Sequence, residues 1–142
     1  MPKAPIEATF SNRGDALPAI SRYLDRVGAQ LSLPPGVLTD LRIAIDEVVT
    51  NILSYAWPDD APHDLTIRCR LLESRLETTI EDDGVAYDPL LTAAPDVEVP
   101  LAERQVGGLG VHFVRNLMSG VAYERVAGRN RLTLTQDLET AK

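Results

Sequence analysis

The sequence predicts an α/β fold: a two-layer sandwich with helices packed on one face of a mixed, mainly antiparallel sheet. Three observations carry this. Two segments with apolar residues recurring at three and four positions, Ala16 to Leu31 and Val37 to Ala56, stand back to back near the start. Two pairs of alternating segments follow, each joined by a short link. The resulting order, β–α–α–β–β–loop–α–β–β, is satisfied by a helical layer lying on a sheet.

Ile6 to Phe10 alternates weakly and reads as a first strand. Ser11 or Asn12 is placed to cap the helix that follows. In that helix Leu17, Ile20, Leu24, Val27 and Leu31 form the apolar stripe, and Pro18 falls in the first turn, where a missing N–H is tolerated. LSLPPG separates it from the second helix, which Pro58 and the following DDAP close. LTIRCRLL (Leu65 to Leu72) and Arg75 to Ile80 make a hairpin across Glu73–Ser74. Val111 to Met118 is a third helix. Val121 to Arg125 and Arg131 to Gln136 are strands joined by AGRN. No internal repeat or long linker divides the chain, so residues 1–142 are expected to form one domain.

Composition narrows the function classes. The chain has 142 residues, 44% hydrophobic and 25% charged, with a formal net charge of -7. Such acidity, with the basic residues scattered, disfavours direct nucleic-acid binding as the main activity. A lone cysteine, Cys69, excludes an intramolecular disulfide and a cysteine-rich metal site. No run of 18 apolar residues suggests a membrane span, and MPKAPIEATF has no apolar signal core. A cytoplasmic protein is expected.

Polar residues interrupt the apolar pattern at three places. In AIDEVVTNILSYAW, Glu47 and Asn51 are four apart, so they stand one above the other on a helical face beside Ile45, Val48, Val49 and Ile52. Next, IEDDGVAYDP carries Asp82-x-Gly84 after a strand. This is either a solvated turn or a carboxylate aimed at a ligand amine, with glycine permitting close approach or an unusual dihedral. Finally, Gly107, Gly108 and Gly110 precede an apolar helical run, as either a plain capping loop or free N–H groups that an anion can approach. This last stretch has neither the GxxxxGK[ST] pattern nor the placement of a dinucleotide fingerprint.

Taken in this order, the three elements resemble the ATP-binding fold shared by gyrases, the ninety-kilodalton heat-shock chaperone, sensor histidine kinases and the MutL repair protein. Glu47 and Asn51 match its first box, Asp82 and Gly84 its second, Gly108 and Gly110 its third. More narrowly, AIDEVVTN, DDGVAYDP, GGLGVHFVRNLM and GRNRLTLTQ resemble the small anti-sigma-factor serine kinases, over Phe10 to Gln136. The resemblance implies ATP and Mg²⁺ as ligands. Asn51 would ligate the metal, and Glu47 would orient or deprotonate the attacking serine hydroxyl. Asp82 would accept from the adenine amine and Gly84 would shape its pocket. Gly107, Gly108 and Gly110 would bring backbone N–H groups to the phosphates. Thr133 or Thr135, which share a strand face, would meet the nucleotide. Implied partners are a sigma factor and an anti-sigma-antagonist protein, with a homodimer formed through the first strand and helix.

The chain departs from this pattern in places. Ala86 stands where many relatives have a further glycine. The segment Asp88 to Gln105, which the resemblance implies to be the lid, is acidic, and Arg104 and Arg115 are the nearest positive candidates, either for phosphate or as surface residues. His63 reads as a surface group, His112 as helix packing, and Trp57 with Tyr55 as core or partner-binding surface. Two functions fit: an ATP-dependent protein serine/threonine kinase acting as an anti-sigma factor, or an ATP-binding regulatory module that works by partner exchange without turnover. Glu47 favours the first, because a pure binder has no chemical use for that carboxylate.

Overall fold

A helix pair lies across one face of a five-stranded sheet whose strand order is β1-β2-β3-β5-β4. The computed structural model describes residues 4–59, 61–86 and 114–138. The elements are β1 (Ile6–Ser11), α1 (Ala16–Leu31), α2 (Pro35–Tyr55), β2 (Asp64–Leu72), β3 (Arg75–Asp82), β4 (Gly120–Val126) and β5 (Arg129–Asp137). Residues 114–117 are helical, within the span expected for a third helix.

The sandwich is as the sequence predicts, with one correction to the sheet. All four strand pairings are antiparallel, so the described sheet has no parallel neighbours. Sequence order hides this, because β5 inserts between β3 and β4. The pair β4–β5 turns through Ala127 (φ 52°) and Gly128 (φ 78°), both left-handed, which matches the twist of the strands it joins.

Side-chain alternation separates two faces. Leu65, Ile67, Cys69, Leu76, Ile80, Leu132 and Leu134 point toward the helices and are buried with Ile20, Leu24, Val27, Leu41, Ile45 and Val49. Tyr23 is buried among them, edge-on to Phe10, and its hydroxyl donates to the Ile6 carbonyl at 2.6 Å. The opposite face carries cross-strand ion pairs instead: Arg68–Glu7, Arg70–Glu77 and Arg131–Glu81.

Helix α1 has the expected bounds, while its capping and the bounds of α2 differ from expectation. The expected cap residues do other work. Asp15 is the N-cap of α1 and makes no side-chain cap bond. The Asn12 carboxamide oxygen accepts the His63 backbone N–H at 2.9 Å, and Ser11 Oγ accepts the Arg13 N–H at 3.1 Å. Helix α2 begins at Pro35, two residues before the apolar pattern, because proline is well accommodated in a first turn.

Candidate functional site

Helix α2 is apolar toward the sheet and polar on one flank. Arg42 reaches α1, donating to the Ser21 carbonyl and pairing with Asp25. Glu47, five positions on, lies about 140° round the helix from Arg42, on the flank away from α1. Asn51, one turn further, sits on that same flank, at the edge of the core. Asn51 keeps 8% of its surface exposed, and Glu47 is half-buried. Neither side chain has a hydrogen-bond partner among the described residues. The sequence pairing of these two is thus realised by helical geometry alone.

The second part of the site is at the end of β3. Asp82 belongs to the strand, facing the helix side, and is 4% exposed. Its Oδ1 accepts the Gly84 N–H at 2.8 Å and the Asn130 Nδ2–H at 3.0 Å. The Asn130 amide also donates to the Val85 carbonyl at 2.8 Å, while its Oδ1 accepts from the Tyr123 hydroxyl and from Arg125. Arg125 Nη1 donates in turn to the Gly84 carbonyl at 2.8 Å. One oxygen of Asp82 therefore carries the structural bonds. The other, Oδ2, has no partner among the described residues and is available to a ligand donor.

Gly84 is required by close approach rather than by its dihedral. A Cβ there would stand 2.5 Å from Ala56 Cβ and 2.6 Å from the Ala56 carbonyl oxygen. That carbonyl accepts the Val85 N–H at 2.8 Å. The turn after β3 is therefore pressed directly onto the C-terminal end of α2. With a rise of about 1.5 Å per residue, Asn51 lies about 7–8 Å, and Glu47 about 13–14 Å, back along the helix from this junction. Asp82 and Gly84 stand at one end of α2, and Asn51 and Glu47 follow in line.

A cluster that sequence reasoning missed braces the same junction. Trp57 Nε1 donates to Asp83 Oδ1 at 2.8 Å, and the His63 ring stacks on the indole at 5.0 Å between centroids. His63 Nε2 lies 2.7 Å from Asp59 Oδ1, and Nδ1 lies 3.5 Å from Asp83 Oδ1. The indole N–H, more than the imidazole, holds the Asp83 carboxyl below its usual range. The hydrogen bond that His63 Nε2–H donates to Asp59 raises the His63 pKa, and the charges of the two nearby carboxylates add to it. His63 is therefore a stacked, carboxylate-bridged group instead of the isolated surface residue that its Pro/Asp-rich loop suggests. Asn130 was partly legible, since alternation with Leu132 and Leu134 turns it inward; its pairing with Asp82 was not.

Thr133 falls elsewhere. It pairs with Thr79 and Ala122 and points, like Thr135, to the face opposite Asp82 and Asn130. The structure does not bring it to the side of the sheet that carries the other candidate residues. Gly107, Gly108, Gly110, Arg104, His112 and the segment Asp88 to Gln105 lie outside the described residues. Arg115 is described, exposed on the helical residues after that segment.

A helical layer on an antiparallel sheet, with a polar helix flank leading to a braced acidic turn, is the α/β-sandwich class of domain. Residues 10–136 match the family model described as Histidine kinase-like ATPase domain. The chain belongs to that family, on the branch of the anti-sigma-factor kinases. It is 34% identical over 95 residues to the serine/threonine-protein kinase BtrW of Bordetella bronchiseptica, covering 67% of each chain. It is 32% identical over 120 residues to the serine-protein kinase RsbW of Bacillus cereus, covering 82% of this chain and 74% of that one. An anti-sigma F factor of Oceanobacillus iheyensis is 30% identical over 91 residues, covering 59% of this chain and 58% of that one. In fold it is similar to a crystal structure of the RsbU and RsbW domains of a Mycobacterium tuberculosis protein. That likeness has a TM-score of 0.65 at 17% identity and covers 96% of this chain and 33% of the other. No helix among the described residues is long and apolar enough to cross a membrane.

Proposed function

We propose that this protein is an ATP- and Mg²⁺-dependent protein serine/threonine kinase that acts in the cytoplasm as an anti-sigma factor. It holds a sigma factor and transfers the γ-phosphoryl group of ATP to a serine or threonine hydroxyl of an anti-sigma-antagonist domain. The observation that carries this reading is the line along α2, from the braced Asp82–Gly84 turn through Asn51 to Glu47. Asp82 Oδ2 accepts the adenine amine at one end. Glu47, at the far end, takes up or orients the proton of the attacking hydroxyl. Phosphoryl transfer asks mainly for positioning and charge compensation, and a rigid helix supplies the first.

The residues present fit the metal. Among the described residues no three His, Cys, Asp or Glu side chains gather as a metal cage. Asn51 offers a single neutral oxygen, the donor suited to a Mg²⁺ whose remaining ligands are phosphate and water. Held there, the ion would supply charge neutralisation on the phosphates. A homodimer through β1 and α1 belongs to the same reading, and sedimentation at micromolar concentration decides it, with dimer the expected species.

The deciding experiment is single-turnover transfer from labelled ATP to the candidate antagonist, run beside a nucleotide titration of the same samples. In Glu47→Ala, nucleotide affinity is expected to stay near the parent's, because a carboxylate close to a triphosphate adds repulsion as well as chemistry. The transfer rate is expected to fall by roughly 10²-fold or more, the scale of a lost general base. Intact binding with an unchanged rate removes Glu47 from catalysis and favours an ATP-binding module that works by partner exchange.

A further inference from the structure

We infer that Trp57, His63 and Asp83 form a clasp that positions the adenine-reading turn against the end of α2, and that protonation of His63 tightens it. This rests on the reading that Asp82 and Gly84 form the base subsite. The clasp itself stands on geometry. Asp83 lies between those two residues, and its carboxylate is bound by the indole of Trp57, the residue after Ala56. Ala56 already presses on Gly84 and binds the Val85 N–H. His63 covers the indole face in a nearly parallel stack, with an interplanar angle of 6°. Its backbone is fastened to Asn12 by a reciprocal pair, Asn12 N–H to His63 O at 2.8 Å and His63 N–H to Asn12 Oδ1 at 2.9 Å. The loop after α2 is thereby anchored to the end of β1, and His63 is held where it bridges two elements.

The charged groups that face the imidazole among the described residues are Asp59, on the loop after α2, and Asp83, after β3. Asn12 and Trp57, its other neighbours, are neutral. A protonated ring donates to Asp59, pairs by charge with Asp83 at 3.5 Å, and places a cation over the indole. A neutral ring donates to one only and leaves the other facing a lone pair. The folded-state pKa of His63 is raised, so its contribution is fully present below the ordinary histidine value and is lost as pH rises through the folded value. The effect on base affinity is small, because the carboxylates are solvated: about two- to fivefold, the scale of exposed ion pairs.

Trp57 is the one tryptophan in the chain, so it reports on the clasp directly. The experiment titrates ATP into the parent and His63→Gln between pH 5.5 and 9, and records Trp57 emission over the same range without nucleotide. Taking the ratio of the two affinities cancels the titration of the nucleotide phosphates. The parent is expected to bind about two- to fivefold more tightly than His63→Gln at the acid end, with the ratio falling to about one at the alkaline end. Trp57 emission should titrate in the parent and stay flat in the variant. Asp59→Asn, an exposed change that spares the fold, should move both midpoints to lower pH. A ratio that stays constant with pH overturns the inference while leaving the nucleotide reading intact, as does a midpoint unmoved by Asp59→Asn. Absence of ATP binding by the folded parent at every pH overturns the nucleotide reading itself.

Discussion

The two halves of the candidate site are built in opposite ways. On α2, Glu47 and Asn51 are set side by side by the pitch of one helix, and neither has a hydrogen-bond partner among the described residues. At the end of β3, Asp82 and Gly84 are held by residues from β4, β5 and the end of α2, through Asn130, Arg125, Tyr123 and Ala56. On the proposed reading, the contrast matches what each half would do. A group that meets a moving phosphate or hydroxyl needs a rigid mount with its polar atoms open to the ligand. A group that reads a base edge must have its orientation decided beforehand, and hydrogen bonds from several elements do that.

The largest separation between the halves is expected from Gly84→Ala. The added methyl meets Ala56 carbon and carbonyl oxygen at 2.5–2.6 Å, so the turn must lift from α2. A loss of about 1–3 kcal/mol in stability is expected from such overpacking, together with a loss of ATP affinity of roughly tenfold or more. Urea unfolding and calorimetry measure the two. An unchanged affinity would show that the turn's seat on α2 is irrelevant to the base.

Asp82→Asn tests the same half more gently. The variant keeps an oxygen for the Gly84 N–H but loses the charge, and the carboxamide offers its own donors where the ligand amine needs an acceptor. ATP binding is expected to weaken by about tenfold, and GTP should bind the parent poorly. Equal ATP and GTP affinities by calorimetry would remove Asp82 from base recognition.

The smallest structural effect is expected on the helix. Asn51→Ala removes a side chain without hydrogen-bond partners among the described residues, and alanine is the better helix former, so the melting temperature should hardly move. What should vanish is the Mg²⁺ dependence of nucleotide affinity, measured by titration with and without the ion. A Mg²⁺ effect as large as the parent's would pass the metal-binding role to another residue.

Much of the architecture could be read before the structure. Helix α1 spans Ala16–Leu31, as its spacing predicts, because five apolar residues at that period leave no other register. The hairpin β2–β3 is longer than its alternation suggests, since Glu81 and Asp82 continue pairing with Thr66 and Leu65 despite their charge. Thr133 illustrates the opposite outcome. Its alternation with Leu132 and Leu134 says that it faces away from them, but not which face carries the site, and the structure sets it opposite Asp82.

The sequence by itself determined which residues share a helix face or a strand face, because those relations depend only on backbone periods of 3.6 and 2 residues. From it came the two helices, the hairpins, and the pairing of Glu47 with Asn51. Only the tertiary structure decided that β5 lies beside β3, which brings Asn130 opposite Asp82 across 48 residues of chain. It alone decided that Gly84 is needed for contact with Ala56 rather than for a left-handed dihedral. It also decided that His63, in a loop of prolines and aspartates, stacks on Trp57 between two carboxylates. These relations join residues far apart in sequence. They arise when the helices and the sheet bury their apolar faces against each other, and no local period encodes which polar groups that burial brings together.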